Sequence, residues 1–136
     1  MVATTRSACL DTAAKLREML GSGRRISFDS GNFNVVHPGH MRILKFASEI
    51  SDALVVGVNP DETPGVMVAS ELRLEGVRSI SMVREAVVLD ATLRDFLTAL
   101  KPNFVVKGKE FEGQANPEEA IVAAYGGRLI FSSGEM

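Results

Sequence analysis

The sequence predicts a three-layer, Rossmann-like α/β domain, doubly wound around a mainly parallel five-stranded sheet. Three observations predict it. Strand-like and helix-like stretches alternate along the chain, as a sheet built from right-handed crossovers requires. The run Ala53 to Val58 is apolar without interruption, the pattern of a strand covered on both faces. The first strand runs into small polar residues and a His-Pro-Gly-His turn ahead of a helix, which puts a loop at the strand's carboxyl end, where open α/β sheets bind ligands.

Each element follows in order. A helix is predicted over Thr4 to Leu20, where Leu10, Ala13, Ala14, Leu16, Met19 and Leu20 recur at three- and four-residue spacings, and Gly21-Ser22-Gly23 ends it. Residues 1–23 thus form a helical extension ahead of the core, with packing on the sheet as its simplest role. Ile26 and Phe28 begin the first strand. The next helix, Met41 to Ile50, aligns Ile43, Leu44, Ala47 and Ile50 on one face, and Pro38 suits its first turn. After the strand Ala53 to Val58, Asn59 to Gly65 is turn chemistry with two prolines, at the same edge of the sheet as the histidines. Val66 to Val83 reads mainly as helix, with Val68, Leu72, Val77 and Ile80 as core candidates. Ala86 to Leu89 is the third strand, Thr92 to Leu100 a helix stopped by Lys101-Pro102, and Asn103 to Lys107 the fourth strand. Pro117 to Tyr125 is a helix capped by Asn116 and closed by Gly126-Gly127, and Arg128 to Phe131 is the fifth strand.

Composition sets the limits of function. A chain of 136 residues suits one domain with a single core. Its charged share of 24% and net charge of −2, with fifteen basic residues spread along the sequence without a dense run, show no cationic footprint of a nucleic-acid binder. Cys9 is the only cysteine, so no intramolecular disulfide forms and a cytoplasmic home is the default. No apolar run approaches the roughly 20 residues a membrane span needs.

The chemistry concentrates in Ile26 to His40. A strand feeding a loop feeding a helix presents unpaired N–H groups and the positive end of the helix dipole, which attract anions. Gly31 and Gly39 allow the backbone to approach a phosphate closely. His37 and His40, the only two histidines, can aim both rings at one point and donate to phosphate oxygens as charge builds. The same two residues would equally serve as helix caps. Lys107-Gly108-Lys109 places cations at another strand's carboxyl end, where they could hold a polyphosphate or form a solvated basic turn. No G-x-G-x-x-G follows the first strand, which disfavours a dinucleotide oxidoreductase.

Gly31-Asn32-Phe33-Asn34 followed by His37-Pro38-Gly39-His40 resembles the G-x-F-D…H-x-G-H signature of the cytidylyltransferase-like nucleotidyltransferases. Within that superfamily the likeness is closest to the adenylyltransferase domain of ADP-heptose synthases. Leu54 to Asn59 with Asp61, Glu71-x-Arg73, Val106-Lys107-Gly108 and Ala124-Tyr125-Gly126-Gly127 match in order along most of the chain. The resemblance implies transfer of a nucleoside monophosphate, AMP for the heptose type, from a nucleoside triphosphate to a small sugar phosphate, releasing pyrophosphate. It implies ATP or CTP with Mg²⁺, the ion held mostly by nucleotide and water. It assigns catalysis to His37, His40, Lys107 and Arg73, although a helical arginine is by default a surface residue. Nucleotide contacts fall to Gly31, Asn32, Phe33, Asn34, Gly39, Asn59 and Gly108. Ser132 and Ser133 stand where a Ser/Thr-rich motif opens the family's last helix. By analogy it also implies a homodimer and, if the chain is the front part of a longer protein, a fused or associated sugar kinase.

Three departures mark this chain. Asn34 replaces the family's Asp, Asp61 to Ser70 carries no lysine or arginine, and the last motif is either missing or represented only by Ser132 and Ser133. Two other readings share the same residues: a non-catalytic nucleotide-binding module of regulatory or assembly type, and a glycerol-phosphate type cytidylyltransferase.

Overall fold

The computed structural model describes residues 7–133. The predicted helical start at Thr4 to Arg6 and the last three residues lie outside that range. Five strands form one sheet of order β3-β2-β1-β4-β5, with every pair parallel. They are β1 (Ile26–Gly31), β2 (Ala53–Val58), β3 (Glu85–Val88), β4 (Phe104–Gly108) and β5 (Arg128–Ser132). The α-helices are α1 (Ala8–Leu20), α2 (Pro38–Glu49), α3 (Ser70–Arg78), α4 (Leu93–Leu100) and α5 (Pro117–Ala123). The order steps outward from β1 in both directions, so the chain reverses between β1 and β4, and a crevice opens there at the strands' carboxyl ends.

Alternation along the strands divides the core into two layers. Ile26, Phe28, Val55, Val87 and Val105 face α1, α4 and α5, where Cys9, Ala13, Leu16, Phe96, Leu97, Leu100, Ile121 and Val122 complete one buried cluster. Leu54, Val56, Val58, Ala86 and Val106 face α2 and α3, meeting Leu44, Ala47 and Val77. β2, whose six residues are all buried, is the strand covered on both sides. The first helix packs against α4, as its apolar spacing anticipates.

The predicted helix over Val66 to Val83 shrinks to Ser70–Arg78, because its first turn is unwound by side chains elsewhere. Asn34 Oδ1 accepts from the N–H of Met67 (2.8 Å) and Val68 (3.2 Å), so these groups are held in a loop. Leu72, a core candidate, is 62% exposed, whereas Val77 is fully buried. A short 3₁₀ turn over Lys109–Phe111 follows β4, an element the sequence pattern does not mark.

The Tyr125-Gly126-Gly127 stretch is a structural corner at the amino edge of the sheet. Tyr125 donates its hydroxyl to the Pro102 carbonyl at 2.7 Å. Gly126 takes φ +93°, and a Cβ at Gly127 would stand 2.9 Å from that same carbonyl oxygen. Beside it Arg17 donates to the carbonyls of Leu100, Gly21, Arg24 and Lys101 and to Asn103 Oδ1, tying α1 to the starts of β1 and β4.

Candidate functional site

The crevice between the loops after β1 and β4 encloses about 600 Å³. One wall is Asp29 to Val35, completed by His40 and Ile43 of α2 and by Asn59 after β2; the other is Lys107, Gly108, Glu110 and Phe111.

The first wall holds a strained residue. Phe33 has φ 51°, in the left-handed region that bulky side chains avoid, and its ring is buried. Such a conformation persists where surrounding contacts over-determine it. The ring packs in the α2 layer and lies 5.4 Å from the His40 ring. A Cβ at Gly31 would approach that ring to 3.2 Å, so the glycine makes room for it.

Three asparagines fix the wall to the loop after β2. Asn59 donates to Asn32 Oδ1 at 2.8 Å, and Asn32 donates onward to the Pro64 carbonyl at 3.2 Å. Asn34 donates to the Gly65 carbonyl at 2.8 Å while its oxygen accepts from Met67 and Val68. A carboxylate at position 34 could not make the first of these bonds, so the asparagine is matched to the loop it holds.

Arg73 completes this latch outside the crevice. Its side chain is buried, with Nε on the Val68 carbonyl (2.7 Å), one terminal nitrogen on the Asn32 carbonyl (2.8 Å) and the other on Asp61 (3.0 Å). The Asp61 carboxyl is held below the ordinary range, chiefly by its bond from Arg73. The guanidinium therefore meets the first loop through its backbone, and its charge is shared with Asp61.

His37 and His40 stack with ring centroids 3.9 Å apart. They divide the two roles open to them. His37 is exposed and caps α2, accepting the Gly39 N–H on Nδ1 at 3.0 Å. A Cβ on Gly39 would stand 2.8 Å from the His37 ring, so the glycine serves this cap. His40 lines the crevice, and its Nδ1 is buried with no hydrogen-bond partner. Burial first, and the neighbouring His37 second, hold it below its ordinary value, so it is neutral at pH 7.

Lys107 ends β4 with its ammonium engaged. Nζ donates to Asn116 Oδ1 and Glu118 Oε2, each at 2.8 Å, and lies 4.7 Å from the Phe111 ring centroid. Glu118 is 8% exposed at the start of α5. Lys109 is exposed and outside the lining. Ser132 is the register partner of Gly108 at the end of β5, and neither it nor Ser133 is among the lining residues.

Asp29, Glu110, Phe111 and Ile43 line the crevice without having been singled out from sequence. Asp29 carried a usable signal, because it sits in β1 two residues before Gly31 and so near the strand's carboxyl end. Burial pushes its carboxyl up to about 7, against smaller opposing pulls from the Ser30 N–H and Lys107. Glu118 carried none, since only the fold brings it to Lys107.

The model of the Cytidylyltransferase-like family matches residues 30–130. The bifunctional protein HldE of Rhodopseudomonas palustris (strain BisA53) is 33% identical over 129 residues, covering 88% of this chain and 26% of that protein. The chain spans about a quarter of the length of the curated relatives it matches. A lipopolysaccharide core biosynthesis protein from Thermoplasma volcanium GSS1 superposes with a TM-score of 0.68 at 21% identity, over 81% of this chain and 98% of that one. A pantoate–β-alanine ligase from Francisella tularensis, solved with β,γ-ATP and β-alanine, superposes with a TM-score of 0.68 at 15% identity, over 96% and 67%. Both likenesses concern the fold.

Proposed function

The chain belongs to the cytidylyltransferase-like family, and from that premise we propose that it is a nucleotidyltransferase domain acting on a nucleoside triphosphate and a small phosphorylated acceptor. The observation that carries this reading is the convergence of His40, the first loop and Lys107 on one crevice at the carboxyl edge of the parallel sheet. In the reaction an acceptor phosphate oxygen bonds to the α-phosphorus as the bond to the bridging α,β-oxygen breaks, and pyrophosphate leaves with the electron pair. Such chemistry asks for positioning and charge stabilisation more than for a covalent nucleophile.

His40, as a neutral imidazole, would donate one N–H to an oxygen on which charge develops. Lys107, held by Asn116 and Glu118, keeps one of its three donors for a phosphate oxygen. His37 supports His40 from behind by stacking, and Arg73 holds the Asn32 backbone in place. No group of three or more His, Cys, Asp or Glu side chains able to hold a metal occurs among the described residues. Magnesium would therefore be held mainly by the phosphates and water, with Asp29 and Glu110 the carboxylates at hand. Once bound, it would neutralise charge on the leaving pyrophosphate. AMP transfer from ATP to a heptose 1-phosphate type acceptor is the preferred assignment, on the likeness to proteins named bifunctional HldE. A companion sugar kinase fits relatives of which this chain spans a quarter. No helix among the described residues is long and apolar enough to cross a membrane.

A non-catalytic nucleotide-binding module is the second reading, favoured by one observation: the loop Asp61 to Ser70 carries no cation and is pinned by Asn32, Asn34 and Arg73. Pyrophosphate release distinguishes the two. The assay uses ATP or CTP with magnesium against sugar 1-phosphates and glycerol 3-phosphate. The enzyme reading expects release that needs one nucleotide and one acceptor, and that falls about 10²-fold or more in His40→Ala. Nucleotide binding without release would favour the module.

A further inference from the structure

The two edges of the sheet are finished differently. At the β3 edge the outward backbone groups of Ala86 are closed by side chains of this chain: Glu85 Oε1 accepts the N–H at 2.9 Å, and Arg78 donates to the carbonyl at 3.0 Å. Charged side chains on an edge strand guard it against pairing with other chains. At the β5 edge the backbone is open. The Arg128 N–H donates to the Asn103 carbonyl, so Arg128, Ile130 and Ser132 give their backbone groups to β4, and Leu129 and Phe131 turn theirs outward. Among the described residues no strand and no side chain takes those four groups. Leu129, Ile130 and Phe131 are all half-buried, and Ile130 and Phe131 join neither buried layer of the described core. Beside them lies a groove of about 280 Å³, lined by Glu119, Ala123, Gly127, Arg128, Leu129 and Phe131.

We propose that β5 is the interface for a second copy of this chain, paired antiparallel about a two-fold axis at Ile130, so that one sheet runs through five strands from each copy. The register follows from the free groups. With the axis at Ile130, Leu129 faces Phe131 of the second copy and Phe131 faces its Leu129, and all four outward groups of each strand are used. An axis at Leu129 would carry Phe131 past the end of the other strand, and an axis at Phe131 would do the same to Leu129. The side chains match in that register. Leu129 and Phe131 share the α5 face with the groove, which receives the Phe131 ring of the second copy, while the two Ile130 side chains meet on the other face. The charges match too. Glu119 adjoins Glu118, whose bond to Lys107 places that turn of α5 at the carboxyl end of β5, because Lys107 is the register partner of Phe131. Arg128 opens β5, and neither it nor Glu119 has an ion pair within the described chain. Antiparallel pairing brings Arg128 of each copy to the end where Glu119 of the other stands. This self-matching selects a second copy over an unrelated strand, which would fit by backbone alone. No residue lining the crevice takes part, so the interface is independent of the nucleotide reading.

Sedimentation equilibrium and disulfide trapping on the whole chain test it. The parent should dimerise reversibly as concentration rises, and Phe131→Lys, which sets an ammonium opposite Leu129, should weaken the dimer about tenfold or more. Across the axis the Ile130 Cα atoms stand about 4.5 Å apart, within disulfide reach. Ile130→Cys should therefore give a linked dimer on oxidation. Arg128→Cys, roughly 14 Å from its own counterpart, should not. Cys9 is buried and common to both. Arg128→Glu should weaken the dimer, and adding Glu119→Arg should restore it, a pattern that a fold defect does not produce. Should Phe131→Lys fail to fold, trapping and charge exchange decide. A parent that stays monomeric up to about 200 μM would overturn the inference, as would trapping of Arg128→Cys as readily as Ile130→Cys. A monomer whose Leu129 and Phe131 amides resist hydrogen exchange would give the edge to other residues of the same chain, and would overturn it equally.

Discussion

At the carboxyl edge of the sheet, Lys107 uses two of its three ammonium donors, on Asn116 and Glu118, and stands in the wall of a crevice of about 600 Å³. At the amino edge, Arg17 lines a smaller hollow of about 270 Å³ beside Tyr125 and Gly127, and all five of its donors go to oxygens of this chain. Both are partly buried cations at strand ends, and both stand close to stretches that carry the family resemblance. One keeps a donor uncommitted and the other has none left. Helix ends and strand ends must satisfy their own backbone groups before any can be offered outward. At the amino edge Arg17 and Tyr125 do that work, and at the carboxyl edge His37 takes the Gly39 N–H while Asn34 takes the N–H groups of Met67 and Val68.

Replacing Arg17 should give the largest effect on stability. Arg17→Met removes the Arg17 donors from four carbonyls and leaves Asn103 Oδ1 with the Ile26 N–H, and is expected to destabilise the fold by about 3 kcal/mol by thermal or denaturant unfolding. The folded fraction should keep its nucleotide affinity. A loss of affinity in the folded protein would break the contrast between the two edges. Lys107→Met should show the complementary pattern. Nucleotide affinity is expected to fall about tenfold, with a smaller stability loss of about 1 kcal/mol from the unpaired Glu118. An unchanged affinity would move the phosphate contact elsewhere. Tyr125→Phe is the finest probe, because it removes only the bond to the Pro102 carbonyl. It should cost about 1 kcal/mol and leave both binding and turnover alone.

Asn34 and Arg73 show why motif spacing is an incomplete guide to role. Asn34 departs from the family's Asp, and from sequence that is a lost carboxylate. In the fold its amide both donates to Gly65 and accepts from Met67 and Val68, so the substitution and the loop geometry belong together. Arg73 matches a family arginine, but its donors reach the Asn32 and Val68 carbonyls and Asp61 before they could reach a ligand. The lysine-free loop is for the same reason not an unsupported segment. It is the segment these two side chains hold down, and the unwinding of the predicted helix start at Val66 to Ala69 is the visible consequence.

By itself the sequence determined the order of the elements, the parallel sheet with one continuous buried strand, and the edge at which the crevice opens. These depend on local periodicity, on residues that stop helices, and on a connection rule that leaves parallel strands one handed crossover. The pairing of His37 with His40 was equally local, being two positions three residues apart around the start of α2. Only the tertiary structure decided which histidine caps and which faces the crevice, that Arg73 is consumed by the Asn32 backbone, and that Glu118 neutralises Lys107. Each of these is a competition among polar groups far apart in the chain for the same donors and charges. No pattern along the sequence records the outcome, because the distances that settle it exist only after the strands have aligned.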